Sequence, residues 1–348
     1  MRAFEVKGCV NHSHSKVSRR QGRQTSRVRF FVIISLPIAL AIALHFAQVF
    51  TGPLNIPQRY REYGARGFTT GAETYPRTAT DSEGYTIKLT RPVQRVASQY
   101  WSIDEFLYSV ARPESVVAVS QTAYERDFSN VFQWADMFRP AVAANPEVIL
   151  KLDPDLLLIS SFARADFSGL VRGAGIPVFR MHTSFTKLEE IRRAIVLTGY
   201  LTGRDSEAAR VARAFDEAVV RARSRKPPGA APPRILGFSG GYTYGSETLF
   251  DDIVRCFGGV NIAAEKGLRS YDPISAEQIL RWNPDWIVSS APRGQSEAVL
   301  KRLLSDPSIA PTAAARKGQI VVLENHIFLP MSPFTTLILE ALGDALYS

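Results

Sequence analysis

Short apolar runs recur along the chain, and amphipathic stretches with helical spacing separate them. In the first half the runs are RVASQ (95–99), VVAVS (116–120), LLLIS (156–160) and PVFRM (177–181), with SIDEFLYSV and FSGLVRGAG between them. In the second half RILGFS (234–239), WIVSS (286–290) and IVVL (320–323) alternate with helical stretches in the same way, and FTTLILEALGDALYS closes the chain. Continuous apolar strands alternating with helices predict parallel, helix-covered sheets. Between the halves, the run from Asp205 to Arg225 contains neither Gly nor Pro, opens with Asp205 and Ser206 as capping candidates and stops at KPPG. It predicts a helix of about 20 residues, about 30 Å long, stiff enough to bridge two domains.

One phrase is written twice. PEVILKLDPDLLLIS (146–160) and AEQILRWNPDWIVSS (276–290) align at one offset, matching Glu147 with Glu277, Ile149 with Ile279, Leu150 with Leu280, Pro154 with Pro284, Asp155 with Asp285 and Ser160 with Ser290. Each copy follows an N-cap candidate, Asn145 or Ser275, breaks at Pro-Asp and ends in a strand. Solenoid repeats run about 20–50 residues, so a period this long predicts two similar lobes. A chain of 348 residues is long enough for two domains.

The net charge of +9 is concentrated at one end. Residues 1–29 hold eight Lys/Arg against the single Glu5, a local charge of +7 that leaves +2 for everything after it. The near-neutral remainder, without a basic stripe, argues against nucleic acid as a partner. The basic tail precedes FFVIISLPIALAIALHFAQVF (30–50), an apolar segment of spanning length. Basic residues on that flank predict a cytoplasmic N-terminus and an extracytoplasmic body. His45 at the minus-three place spoils a cleavage site near Ala47, which favours an uncleaved anchor over a cleaved signal and a soluble periplasmic product. Cys9 and Cys256 are the only cysteines. They fall on opposite sides of the predicted membrane segment, and Cys256 reads as a small buried residue. CVNHSH (Cys9, His12, His14) is a weak metal motif in a short polar tail.

The segment YPRTATDSEGYTIKLTRPVQRVAS resembles the opening of the periplasmic binding proteins that serve ABC importers of ferric siderophores, haem and cobalamin. Thr80, Asp81, Gly84, Pro92, Arg95 and Val96 fill that family's approximate T-D-x-x-G pattern followed by Pro and Arg-Val. The paired E-x-I-L-x-x-x-P-D phrases, the bridging helix and SETLFDDIVRCFGGVNIA are similar too, so the resemblance covers about residues 76–348. It implies an α/β fold of two similar parallel-sheet lobes joined by one long α-helix, here preceded by an N-terminal membrane segment. The expected organisation is a basic cytoplasmic tail (1–29), a membrane anchor or signal (30–50), a tether (51–75), an N-terminal ligand-binding lobe (76–184), a helical bridge (185–226) and a C-terminal ligand-binding lobe (227–348).

In open α/β lobes, ligands bind beyond the carboxyl ends of the strands. The residues following each strand are Tyr100, Trp101, Tyr124, Arg126, Phe162, Arg164 and His182 in the first half and Tyr242, Tyr244, Arg293 and His326 in the second. Aromatic faces with a few cations suit a large, partly apolar, partly anionic ligand such as a metal chelate. Singly, each is as readily a loop or core residue. Glu147 and Glu277 each stand two places after an N-cap, where helix-end electrostatics alone would favour a carboxylate. The resemblance implies a second role, one docking glutamate per lobe for a permease dimer that works with an ATPase. This reading calls for no catalytic residue, cofactor or resident metal.

Three alternatives stay open. GFSGG (237–241) fits G-x-S-x-G, and with Asp251 or Asp252 and His326 it follows the chain order of an α/β-hydrolase triad around Ser239. A bare-metal receptor would rest on His182 and His326, the only histidines past the apolar segment. A third is a sensing receptor of the same fold, without transport.

Overall fold

The computed structural model describes residues 74–138, 145–328 and 330–347. The basic tail, the apolar segment and nearly all of the tether lie outside them. Among the described residues no helix is long and apolar enough to cross a membrane.

An antiparallel hairpin of β1 (Arg77–Thr80) and β2 (Thr86–Leu89) opens the described chain. Its turn explains the T-D-x-x-G pattern. Asp81 accepts the backbone N–H groups of Glu83 and Tyr85, both at 2.9 Å, and Gly84 takes φ 89°. The other Asp81 oxygen meets Arg172 at 2.8 Å, which pins the hairpin to the lobe behind it.

The N-lobe sheet contains β3 (Val96–Ser98), β4 (Val116–Ala118), β5 (Leu156–Ser160) and β6 (Val178–Met181) in the order β4-β3-β5-β6, all parallel. Its helices are α1 (Trp101–Val110), the short α2 (Phe132–Ala135), α3 (Pro146–Leu152) and α4 (Ala165–Gly173). The C-lobe has β7 (Arg234–Ser239), β8 (Tyr242–Tyr244), β9 (Val260–Asn261), β10 (Tyr271–Pro273), β11 (Trp286–Ala291) and β12 (Ile320–Glu324). Strands β7, β11 and β12 are parallel neighbours, like β3, β5 and β6. The position beside β7 is divided: β9 pairs in parallel with its start, and the antiparallel β8 pairs with its end and carries β10 beyond it. The two lobes are therefore similar but not copies.

The repeated phrase has the same structural job in both lobes. Asp155 accepts Gln94 N–H at 2.8 Å and Arg95 N–H at 3.1 Å, and Asp285 accepts Arg234 N–H at 3.1 Å. Each aspartate ties the start of its own strand to the start of the neighbouring parallel strand. Arg95 also donates to the carbonyls of Leu152 and Asp153, closing the C-terminal end of α3.

The predicted 20-residue helix is α6 (Asp205–Ser224), but it does not bridge the lobes alone. It packs antiparallel against α5 (Leu188–Thr202), with Gly203 at φ 69° making the turn. At Gly199 a side chain would meet the Ala208 Cβ at 2.3 Å, which shows how closely the two backbones approach. An ion pair, Arg192 to Asp216 at 2.8 Å, joins them farther along. The C-lobe helices are α7 (Leu249–Cys256), α8 (Ile262–Glu265), α9 (Ala276–Trp282), α10 (Ser296–Ser305), α11 (Ala313–Arg316), α12 (Asn325–Phe328) and α13 (Thr336–Tyr347). The largest apolar core runs through both lobes, joining Ile103, Phe106 and Leu158 to Phe215 of α6 and to Phe257, Ile338 and Leu342. Smaller cores fill the remaining face of each sheet.

Candidate functional site

Nine of the eleven expected cleft residues lie beyond the carboxyl ends of strands, whereas Tyr242 and Tyr244 form the antiparallel β8 itself, and the eleven divide into different environments. Tyr100 caps α1 and Trp101 is its first residue, with ring centroids 6.0 Å apart. Across the junction stands Tyr271 of β10. Burial and then the Tyr100 phenol push its hydroxyl up to about 12. Tyr244 in turn is raised by burial and by Tyr271, whose ring centroid lies 5.5 Å from its own. Tyr271 was not among the expected residues, because it lies on an antiparallel edge strand and not after a parallel one. Tyr244 is only 8% exposed and packs on Phe250, Phe328 and Tyr271 at 5.3, 5.4 and 5.5 Å. It belongs to the C-lobe core and supports the site from behind. Phe162 and Tyr242, one on each lobe, keep 40% exposure and offer open rings.

Three of the expected cations take part in a seam between the lobes. Arg293, after β11, donates from Nε to the Arg126 carbonyl at 2.8 Å and from its backbone N to Asp127 at 3.2 Å. Its guanidinium and that of Arg126 both lie over the Phe132 ring, at 5.4 and 5.2 Å. Arg293 Nη1 also stands 3.2 Å from His326 Nε2. His326 Nδ1 lies 3.3 Å from Glu324, yet it is not aligned as a hydrogen bond. Burial, and then Arg293, hold the His326 imidazole below its usual range.

Deeper in the seam is Glu105 of α1, fully buried. Its Oε1 accepts Asn130 N at 3.0 Å and Asn130 Nδ2 at 2.9 Å, while Oε2 accepts the Ser332 hydroxyl at 2.5 Å. Asn130 Nδ2 also donates to the His326 carbonyl at 2.9 Å. One N-lobe carboxyl therefore holds groups from both lobes. Burial pushes it up to about 7, and its neighbour Asp104, bonded to Ser120, is raised likewise to about 7. Arg293 thus holds the Arg126 carbonyl across the junction and stands against His326 within its own lobe, an arrangement that sequence spacing does not reveal.

The others are simpler. The Tyr124 hydroxyl donates to the Phe138 carbonyl. Arg164 is exposed and paired with Asp166 at 2.7 Å. His182 packs edge-on to Phe185 at 5.7 Å, and burial lowers its imidazole. Glu147 and Glu277 are both exposed on the short helices α3 and α9.

The hydrolase alternative is not assembled. Gly240 and Gly241, at φ 60° and 86°, form a tight turn between β7 and β8, with Ser239 paired to Tyr242. A nucleophile elbow would run from strand into helix. The Ser239 hydroxyl pairs with Ser290 at 2.6 Å, Asp251 is bound to Arg255 and Asn261, and Asp252 is bound to Lys187 and Leu188 N–H. Among the described residues no group of three or more His, Cys, Asp or Glu converges to hold a bare metal ion.

Comparison with known proteins agrees with this geometry. A cobalamin-binding protein of Halobacterium salinarum is 28% identical over 268 residues, 74% of this chain and 70% of that protein. The apo periplasmic heme-binding protein RhuT of Roseiflexus sp. RS-1 superposes with a TM-score of 0.61 at 25% identity, covering 73% of this chain and 98% of RhuT. The periplasmic heme-binding protein HutB of Vibrio cholerae shares the fold, with a TM-score of 0.62 at 21% identity over 73% of this chain and 99% of HutB. The profile of the family described as periplasmic binding protein matches residues 96–326, from β3 to α12, so both sheets and the junction between them fall within it, and the chain belongs to that family.

Proposed function

We propose that this protein is the solute-binding component of an ABC importer. In this reading it captures an iron chelate (a siderophore), or a related metal complex such as haem or cobalamin, between its lobes and passes it to a permease dimer with its ATPase. The observation that carries the reading is the aromatic junction: Tyr100, beside Trp101 at 6.0 Å, and Tyr271, beside Tyr244 at 5.5 Å, both pack against the core shared by the lobes, with open rings at Phe162 and Tyr242. Such faces stack on a broad, partly apolar metal complex, and the phenols supply polar contacts that fix its orientation. The haem and cobalamin named for the relatives are both large metal-centred macrocycles, which fits this lining. Residues 30–50 hold the body at the extracytoplasmic membrane surface or, once cleaved, release it into the periplasm. Glu147 and Glu277, one exposed carboxylate per lobe, meet the permease.

The test is titration of the full-length protein with hemin, cyanocobalamin and ferric hydroxamate and catecholate siderophores, followed by absorbance and tryptophan emission. Saturable equimolar binding of one of them is expected. Trp101→Ala and Tyr271→Ala should each weaken it at least about tenfold, or about 1.4 kcal/mol. Failure of all of them to bind, or unchanged affinity in both variants, would reject this assignment.

A further inference from the structure

Residues 147–155 and 277–285 agree in burial as well as in sequence. Position by position, both run exposed, half-buried, buried, exposed, exposed, half-buried, exposed, buried, half-buried. Both helices end in a left-handed residue at the same place, Asp153 at φ 42° and Asn283 at φ 43°. Each is fixed by one buried isoleucine, Ile149 or Ile279. The outward face then presents Glu147, Leu150 and Lys151 in one lobe, and Glu277, Leu280 and Arg281 in the other. On a helix, residues three apart are neighbours on one face, so each glutamate stands next to its leucine.

Leu150 is 43% exposed and Leu280 45%. One exposed leucine on a folded protein needs no explanation. The same leucine at the same helical position, between an acid and a base, in both lobes of a chain whose lobes otherwise differ, calls for one. Among the described residues none of the four charged side chains in these two faces is engaged in an ion pair.

We infer that each lobe carries a composite contact in which the leucine is the anchor, and that its occupant is a membrane protein of two equivalent subunits. Each subunit offers a cation to the glutamate, an apolar pocket to the leucine and an acceptor to the Lys or Arg beyond it. The inference rests on the docking reading of Glu147 and Glu277 and adds the group that holds the complex together. Charges at a wet rim set encounter rate and orientation, whereas a desolvated apolar anchor slows dissociation. Two like faces on one chain match a closed two-fold partner, one face to each subunit. The order acid, leucine, base along each helix fixes the direction in which each subunit is met. In the proposed reading the apolar segment at 30–50, long enough to span a bilayer, keeps the chain beside the membrane where such a partner resides.

The experiment places a photoreactive benzophenone amino acid at position 150 or 280 of the full-length protein in its own host cells. Cross-linked products are identified by mass spectrometry, with position 170, whose leucine is 64% exposed on α4, as the control. Both test positions should capture the same multi-spanning membrane polypeptide, the control should not, and Glu147→Ala with Glu277→Ala should cut the yield at both about tenfold. Different polypeptides at the two positions, a soluble protein, a second copy of this chain, or no product would each overturn the inference. Probes at Asn145 and Ser275, beside the glutamates, separate two kinds of failure. If they capture a membrane polypeptide while positions 150 and 280 do not, carboxylate docking stands and the leucine anchor falls. If none of the four captures one, both fall. Hemin and cyanocobalamin titrations of Leu150→Ser/Leu280→Ser should match those of the unmutated protein, which confirms that the variant is folded.

Discussion

Glu105 offers a measurement of how the two lobes are joined. Its carboxyl is raised from the ordinary 4.5 to about 7, chiefly by burial and against the pull of its bonds to Ser332 and Asn130. The folded protein therefore keeps this proton to a higher pH than the unfolded chain does. The associated stability is complete below about pH 4.5, falls as pH rises towards 7, and is level above that. At about 1.36 kcal/mol for each pKa step, the loss is about 3 kcal/mol. Glu105→Gln keeps the side chain's shape and an acceptor for Asn130, and places an amide against the Ser332 oxygen, but it does not titrate. Urea unfolding of the full-length protein in a non-ionic detergent, from pH 4.5 to 8, should show the unmutated protein losing about 3 kcal/mol more than Glu105→Gln, with the urea dependence unchanged. Asp104 titrates in both proteins and largely cancels in the difference. Glu105→Ala should be destabilised at every pH, because the buried Asn130 N–H and Ser332 hydroxyl lose their acceptor, at about 1–3 kcal/mol each. Parallel stability curves for the unmutated protein and Glu105→Gln would refute the claim that this seam holds a carboxyl at near-neutral pKa.

Two further consequences are open to measurement. Arg293→Ala removes the guanidinium bonds to the Arg126 carbonyl and His326, so amide exchange over residues 126–131 and 324–328 should speed up about tenfold while the sheet cores stay protected; unchanged exchange there would show that the seam does not depend on this residue. Gly199→Ala forces a methyl group to within 2.3 Å of Ala208 Cβ and 2.9 Å of the Arg204 carbonyl oxygen, and should cost about 1–3 kcal/mol in thermal or urea unfolding, part of it recovered by Ala208→Gly; no loss would mean that α5 and α6 separate easily.

Much of the frame was legible because backbone chemistry wrote it into local sequence. The Pro-Asp steps could be matched because Asp155 and Asp285 must each satisfy the N–H groups opening a neighbouring strand. The T-D-x-x-G pattern is a turn whose aspartate and glycine have no easy substitutes. Parallel strands were readable from apolar runs, since both of their faces are covered. The helix from Asp205 was read as a lone bridge, without α5 as its partner, because two amphipathic helices joined by a glycine give no signal of which neighbour each packs on. The cleft was harder still. The rule of looking beyond parallel strand ends selects Tyr100 and Trp101, but it does not reach Tyr271, which lies on an antiparallel edge strand. It also gathered Arg126, Arg293 and His326 as ligand cations, without sign that Arg293 bonds the Arg126 carbonyl, 167 residues away, and stands against His326, 33 residues away.

The central claim is that the junction of the two lobes holds a metal complex. Native mass spectrometry of the full-length protein, purified from its own host's membranes without added ligand, tests it most directly. The account predicts an equimolar adduct whose isotope pattern carries a transition metal, and which is lost from the Trp101→Ala/Tyr271→Ala double variant. An adduct without a metal, such as a sugar or an amino acid, or a metal complex retained in full by that variant, would contradict it.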